Sequence, residues 1–331
     1  MDGAGEWTAT TILNLADGYW QSCTLHAAVK LDIFTILAHE CHGAAKVAEC
    51  LHGDRRGVVA LLDALTAMGL LVKKGDCYTN TPASKRFLVS GGPEFIGHII
   101  LHHHHLVDGW AQLDRAVLSG KPVEKRCHGE ENERESFQMG MFNLAMAIAP
   151  KLAGQIDLNG RRHLLDVGGG LGTYAIYFCQ ANPGLRATII DRPATGEFAA
   201  KAIRFYGLQE RIDFLAEDFL AGPLTGRYDV AWLSQILHSY GPEDCQRIIA
   251  KVVAALEPGG LILIHDFLLN DAKDGPLFPA LFTLNMLINN PDGRSYSKRE
   301  ITDLLNRNNV RDIHALPFVG PNDSCIICGR V

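Results

Sequence analysis

Three glycines at alternate positions, Gly168, Gly170 and Gly172, close a short apolar run that begins Leu164-Leu165-Asp166-Val167. Glycine has no Cβ and takes positive φ without strain, so the backbone can turn sharply here and let a ligand lie against it. A helical pattern, Ala175-Ile176-Tyr177-Phe178, follows at once, and the start of a helix offers free N–H groups to a polar ligand. Dinucleotide sites use glycines in the same place, but the spacing G-x-G-x-x-G fails because its third position is Thr173. Two acids follow two further strand-like runs. Asp191 ends Ala187-Thr188-Ile189-Ile190, where a carboxylate at a strand edge can take both hydroxyls of a ribose. Asp218 follows Ile212-Asp213-Phe214-Leu215; it can accept the amino group of a purine while Phe219 covers the ring face. His238 lies just past a fourth run, Tyr228–Leu233, and Asp266 ends a fifth, Leu261–His265. Imidazole is the side chain that takes or gives a proton near neutral pH, and a carboxylate beside it orients the ring and stabilises the imidazolium.

A glycine loop after the first strand, an acid after the second, and an acid with an aromatic after the third together resemble the S-adenosylmethionine site of class I methyltransferases. That resemblance implies Asp166, Gly168, Gly170, Asp191, Asp218, Phe219 and Ser234 as residues that hold the cofactor, S-adenosyl-L-methionine. A sulfonium carries its own activated methyl group, so the protein has to position the acceptor and take a proton.

Those residues need strand ends to stand on. From Arg161 onward, strand-like runs alternate with helical ones, ending in a final pair of strands. The alternation predicts an α/β, Rossmann-like, mostly parallel and doubly wound sheet with ligands at the C-terminal strand edges. Residues 1–90 read differently. Helical patterns over Thr24–Leu37 (with Asp32 interrupting one face), Ala44–Ala48 and Arg56–Met68 precede a Gly75-Asp76 hairpin within Gly69–Thr79, a winged-helix outline. The second helix of that outline carries Val58, Leu61, Leu62, Leu65 and Met68, with Arg55 and Arg56 only at its start. A helix that reads DNA needs exposed Lys, Arg, Asn or Gln along its length, so dimer packing is the better account. Residues 91–158 are expected to form a helical segment that contributes to the substrate pocket, leaving 159–331 as the catalytic domain.

Between these parts stands His102-His103-His104-His105. One helical turn separates the outer pair, as it does in some metal sites, but without a supporting set of ligands nearby no metal is assigned. A histidine lining the substrate pocket is the preferred reading. A helix is expected over Asp108–Gly120, and the charged run Glu130–Glu135 is a solvated helix start whose acids suit that end of the dipole. The Met/Phe-rich stretch Phe137–Met146 is either core or an adaptable wall for an apolar ligand.

The 331 residues carry a net charge of −6, with 47% hydrophobic and 21% charged residues. This is an ordinary globular composition with no general attraction for nucleic acid or anionic lipid. No apolar run is long enough for a membrane span, and Met1–Glu6 lacks a basic-then-apolar signal pattern, which leads to a cytoplasmic expectation. Nine cysteines, several inside apolar runs, suit reduced thiols. Cys325 and Cys328 have C-x-x-C spacing, but in a strand they face opposite sides.

Residues 8–331 as a whole resemble the small-molecule O-methyltransferases that include plant caffeate and isoflavone enzymes, acetylserotonin methyltransferase and bacterial natural-product enzymes. The matching stretches are Leu165–Gly172, Asp191-Arg192-Pro193, Glu217-Asp218-Phe219, Ile236-Leu237-His238, Glu257-Pro258-Gly259-Gly260, and Met286-Leu287 with Asn290-Pro291 and Gly293. The resemblance implies an N-terminal dimerisation domain, a homodimer, and His238 as general base. It also implies an acceptor pocket lined by Phe137, Met141, Phe282, Met286 and Asn290. The sequence departs from the plant pattern in four places. Ser239 follows the base in place of Asp; Asp266 and Ser295 stand where two glutamates flank it; Ser234 replaces a frequent Lys beside the cofactor. The acceptor is therefore left open within aromatic or polycyclic hydroxyl compounds. C- or N-methylation, cofactor binding without transfer, and a winged-helix regulator that senses S-adenosylmethionine are the alternatives.

Overall fold

The computed structural model describes residues 7–123 and 130–331. Met1–Glu6, examined above for a signal pattern, lie outside the described residues, as do the side chains of Glu130 and Asn132 in the charged run. The chain forms two compact units, one of residues 1–107 with 128–143 and one of 108–127 with 144–331. The segment 91–158 is thus shared between them.

In the first unit, helices Tyr19–Lys30, Ile33–Ile36, Ala44–Leu51 and Arg55–Ala67 surround a small sheet. Its strands β1 (His42–Gly43), β2 (Leu71–Lys74) and β3 (Cys77–Asn80) run in the order β1-β3-β2. Asp32 does more than interrupt a face: it adopts φ 53°, and the expected helix breaks there into two. Val58, Leu62 and Leu65 of helix Arg55–Ala67 are buried against Ile33, Phe34 and Val47, so this helix spends its apolar face on its own core. Antiparallel pairing of β1 with β3 sets Gly43 opposite Cys77 and brings Cys41 alongside, and the two cysteines form a disulfide. This corrects the reading of the cysteines as uniformly reduced. Spacing along the sequence carried no sign of the bond, because the sheet alone makes the two neighbours. Cys325 and Cys328 are free, and they point into opposite core layers.

The second unit is built on a seven-stranded sheet: β4 (His163–Val167), β5 (Arg186–Asp191), β6 (Ile212–Ala216), β7 (Tyr228–Ser234), β8 (Leu256–Phe267), β9 (Arg311–Ala315) and β10 (Ser324–Arg330). The order is β6-β5-β4-β7-β8-β10-β9, with β4 to β8 parallel and β10 antiparallel to both neighbours. The order reverses between β4 and β7, and a doubly wound sheet opens its ligand crevice at such a switch point. Alternation along the strands sends Leu165, Leu233 and Ile264 to one layer and Leu164, Trp232 and Leu263 to the other. Helices Pro242–Ala255 and Lys298–Arg307 cover the first layer; Thr173–Ala181 and the end of Glu130–Leu152 cover the second. Each fully buried aliphatic side chain contributes roughly 1.5–3 kcal/mol, which makes this sheet a stiff base for the loops at its edge. The helix expected over Asp108–Gly120 is instead the end of Gly97–Trp110 followed by a separate Leu113–Ser119. Among the described residues, no helix is long and apolar enough to cross a membrane.

Candidate active site

Strand β4 ends in the glycine loop, and Gly168, Gly170 and Gly172 have φ of 66°, 57° and 78°. Gly172 in this left-handed conformation caps helix Thr173–Ala181. The loop is also packed from both sides. A Cβ on Gly168 would lie 2.4 Å from Ile236 Cδ1, and one on Gly169 would lie 2.5 Å from the Asp166 carboxyl carbon. Above Gly170 there is nothing within 4 Å of a built Cβ, so the loop is supported below and open at its crest.

At the end of β5, Asp191 accepts the Gly170 N–H at Oδ2 (2.8 Å) and the Arg192 N–H at Oδ1 (2.6 Å). The neighbouring strand end thereby ties the loop to its acid. Asp218, after β6, is exposed and accepts the Leu220 N–H at 2.9 Å, which fixes the carboxylate at a turn. Phe219 is only 6% exposed and meets Tyr240 edge-on with centroids 5.9 Å apart, so little of its face stays free. Asp166 lies under the loop at 1% exposure. Neither of its oxygens has a hydrogen-bond partner; burial pushes its carboxyl up to about 7, and the nearby Ala175 N–H draws it only partway back. Ser234, at the end of β7, lies within 2.9 Å of His265 Nδ1. His265 is fully buried, stacks on Trp232 at 5.7 Å, and is pushed down to about 4 by burial. It stays neutral, so the end of β7 carries an uncharged hydroxyl–imidazole pair.

On the other face of β8, Asp266 meets His238. His238 sits in a short turn after β7, 8% exposed, with Nδ1 2.8 Å from Asp266 Oδ1. The same oxygen accepts the Phe267 N–H at 2.9 Å. Around the imidazole stand three phenylalanines. Phe282 is edge-on at 4.9 Å, Phe267 lies parallel at 6.5 Å, and Phe278 packs on both of these at 6.0 and 4.8 Å. Phe282 belongs to helix Leu277–Asn289, which also carries Met286; Asn290 Nδ2 lies 3.4 Å from the Met286 sulfur. Ser295 donates to the Pro279 carbonyl at 2.9 Å, so this side chain fastens that helix. Phe137 and Met141 belong to the first unit, where Phe137 meets His102 at 5.3 Å and Met141 packs against the helical core. The other histidines of the quartet also have company. His104 lies 5.9 Å from His26, ring to ring, and its Nε2 is 3.2 Å from Lys30 Nζ.

His265, Phe267 and Phe278 join the site without having stood out in the sequence. His265 was visible as a titratable residue inside an apolar strand, directly before Asp266. The two phenylalanines had no motif to mark them, because only the crossing of β8 with the later helix brings them together.

A switch-point crevice with a glycine loop on β4 and acids on β5 and β6 defines a class I methyltransferase. The comparisons agree and go further. Residues 110–310 match the O-methyltransferase domain and residues 13–90 the O-methyltransferase dimerisation domain. The 3-hydroxy-5-methyl-1-naphthoate 3-O-methyltransferase of Streptomyces sahachiroi is 34% identical over 327 residues, 97% of this chain and 94% of that one. The N,N-dimethyltransferase OxyT of Streptomyces rimosus is 32% identical over 88% of each chain. The crystal structure of human N-acetylserotonin methyltransferase in complex with S-adenosylmethionine has a TM-score of 0.86 at 26% identity, covering 99% of both chains. The chain belongs to the O-methyltransferase family and is an S-adenosylmethionine-dependent enzyme. Its own residues fit that cofactor: the open crest at Gly170, the strand-edge carboxylate of Asp191 and the unpartnered buried Asp166 form a polar cradle.

Proposed function

We propose that this enzyme methylates a phenolic hydroxyl on a polycyclic aromatic acceptor, with His238 as general base. The observation that carries the reading is the 2.8 Å contact between His238 Nδ1 and Asp266. A carboxylate only accepts hydrogen bonds, so the ring proton stays on Nδ1 and the Nε2 lone pair is left for the acceptor's hydroxyl. When bound, S-adenosylmethionine would supply an electrophilic methyl group; Gly168, Gly170, Asp191 and Asp218 would hold it, with Asp166, Ser234 and Phe219 as the further residues assigned to its site. Every other task falls to the chain. His238 takes the hydroxyl proton as the oxygen becomes the nucleophile, and Asp266 stabilises the imidazolium that results. Phe267, Phe278, Phe282 and Met286 present an apolar wall to a flat ring system and exclude water around the base, with Asn290 as a polar group at its end. The hydroxynaphthoate relative supports an acceptor of fused aromatic rings.

The enzyme is further proposed to work as a homodimer in the cytoplasm, in line with the dimerisation-domain match over residues 13–90. The test is incubation with S-adenosylmethionine and a set of hydroxynaphthoates alongside matched aminonaphthoates. Methyl ether formation by mass and NMR supports the reading. Transfer to the amines alone would replace it with N-methylation, the activity named for OxyT.

A further inference from the structure

The segment that carries His238 is short. Leu237–Ser239 is a single 3-10 turn, closed by the Ser239 N–H to Ile236 (3.1 Å) and the Tyr240 N–H to Leu237 (3.0 Å). Gln235, just before it, is held at φ 57°, an uncommon conformation for a residue with a side chain. Short 3-10 turns have poor hydrogen-bond geometry and little stability of their own. Three groups from later in the chain hold this one. The Arg294 N–H donates to the His238 carbonyl at 2.7 Å. The Cys245 thiol donates to the Leu237 carbonyl at 3.3 Å. The Tyr296 hydroxyl donates to the Tyr240 carbonyl at 2.6 Å, and Cys245 Sγ lies 3.3 Å from the same hydroxyl. Tyr296 is 3% exposed and Cys245 fully buried. Burial pushes the Cys245 thiol up to about 12 and raises the phenol as well, so both keep the protons they donate. Arg294 lies over the Tyr296 ring, 5.0 Å from its centroid, and pairs with Glu300. Tyr296 is thus fixed from behind while its hydroxyl reaches the turn.

We propose that Tyr296, assisted by Cys245, is a positioning residue for methyl transfer: its hydroxyl clamps the turn so that the His238 imidazole stays on Asp266 with Nε2 facing the acceptor. No bond to Tyr296 changes during the reaction. The inference rests on His238 being the base, which the proposed function assigns. Displacement of a catalytic group by about an ångström can cost on the order of 100-fold in rate, so a loosened turn is felt in turnover before it is felt in binding.

Tyr296→Phe removes the hydroxyl and keeps the ring. Two readouts on the full-length enzyme with S-adenosylhomocysteine or S-adenosylmethionine decide the matter. By proton NMR, the wild type should show a downfield Nδ1–H signal, assigned by its loss in His238→Ala; in Tyr296→Phe it should move or broaden. In kinetics with a hydroxynaphthoate acceptor, Tyr296→Phe should lower kcat about 10-fold with acceptor KM unchanged. Adding Tyr296→Phe to His238→Ala should lower kcat no further. Cys245→Ala should act in the same direction and Cys245→Ser should recover part of the loss. An unmoved signal and an unchanged kcat in Tyr296→Phe, beside a crippled His238→Ala, would overturn this inference alone. A His238→Ala enzyme as fast as wild type would remove the base assignment, and this inference with it.

Discussion

Asp266 Oδ1 lies 2.8 Å from His238 Nδ1 and accepts the Phe267 N–H; a carboxylate in that place favours the tautomer with its proton on Nδ1. The consequence for turnover is direct. If His238 is the base, as proposed, His238→Ala should lower the rate about 10²–10⁴-fold and leave S-adenosylhomocysteine affinity in calorimetry unchanged, since the role assigned to the ring is toward the acceptor. Asp266→Asn should cost less if it only orients the ring. Raising the pH until the phenol ionises in bulk should shrink the His238→Ala deficit; equal rates for variant and wild type near neutrality would mean that positioning alone carries the reaction. Asp166 makes a prediction of a different kind. Burial favours its protonated form, so folding takes up a proton between the ordinary value of 3.8 and the folded value of about 7. Its contribution is fully present below the lower value and is lost as pH rises through the upper one. A shift of this size corresponds to on the order of 4 kcal/mol. Asp166→Asn does not titrate, so its stability relative to wild type in urea unfolding should climb across that window and level off above it. A difference that stays flat with pH would show that the carboxyl is solvated or paired.

Among the elements, the glycine loop couples fold and site most tightly. The alternate spacing of Gly168, Gly170 and Gly172 was readable, and those three residues take positive φ. What the spacing could not convey is why Gly169 is also glycine: the Asp166 carboxyl occupies the space a Cβ would need. The same division runs through the unit. Strands β4 to β7 were legible from short, largely apolar runs, the β-branched Ala187–Ile190 most plainly, because central parallel strands are buried on both faces. The length of β8 was underestimated, since Glu257-Pro258-Gly259-Gly260 looks like a turn and yet lies within a strand of twelve residues, Leu256–Phe267. The His238–Asp266 pair was legible one residue at a time. The phenylalanine wall and the Tyr296 contact were not, since both depend on segments that meet only after the sheet is assembled. Gly168→Ala tests the loop. Its φ of 66° is unfavourable for alanine and its Cβ would strike Ile236, so about 1–3 kcal/mol of stability should be lost, with weaker S-adenosylhomocysteine binding. A variant that melts and binds like wild type would mean that the loop is free to reshape.

For the whole molecule, the first described helix raises the question of what orders it. Ala9–Ala16 has eight residues and no buried one. Helices shorter than about 12–15 residues are marginal in water without packing. Its apolar residues are open, with Ile12, Leu13 and Leu15 at 54%, 63% and 69% exposure, and the flanking Trp7, Tyr19 and Trp20 at 64%, 62% and 59%. So many exposed large apolar side chains in one short segment suit an interaction site, and the dimerisation-domain match begins at Leu13. A second copy of the chain is the occupant that needs no further component, since a two-fold interface places the same patch on both sides. The full-length protein should therefore sediment as a dimer at micromolar concentration. Its melting temperature should rise with protein concentration, because unfolding then releases two chains from one particle. Leu13→Asp combined with Leu15→Asp puts two charges into that surface without touching the catalytic unit, and it should yield monomers whose melting temperature no longer depends on concentration. A wild type that sediments as a monomer, or a double variant that stays dimeric, would mean that these side chains are covered by something other than their own copy.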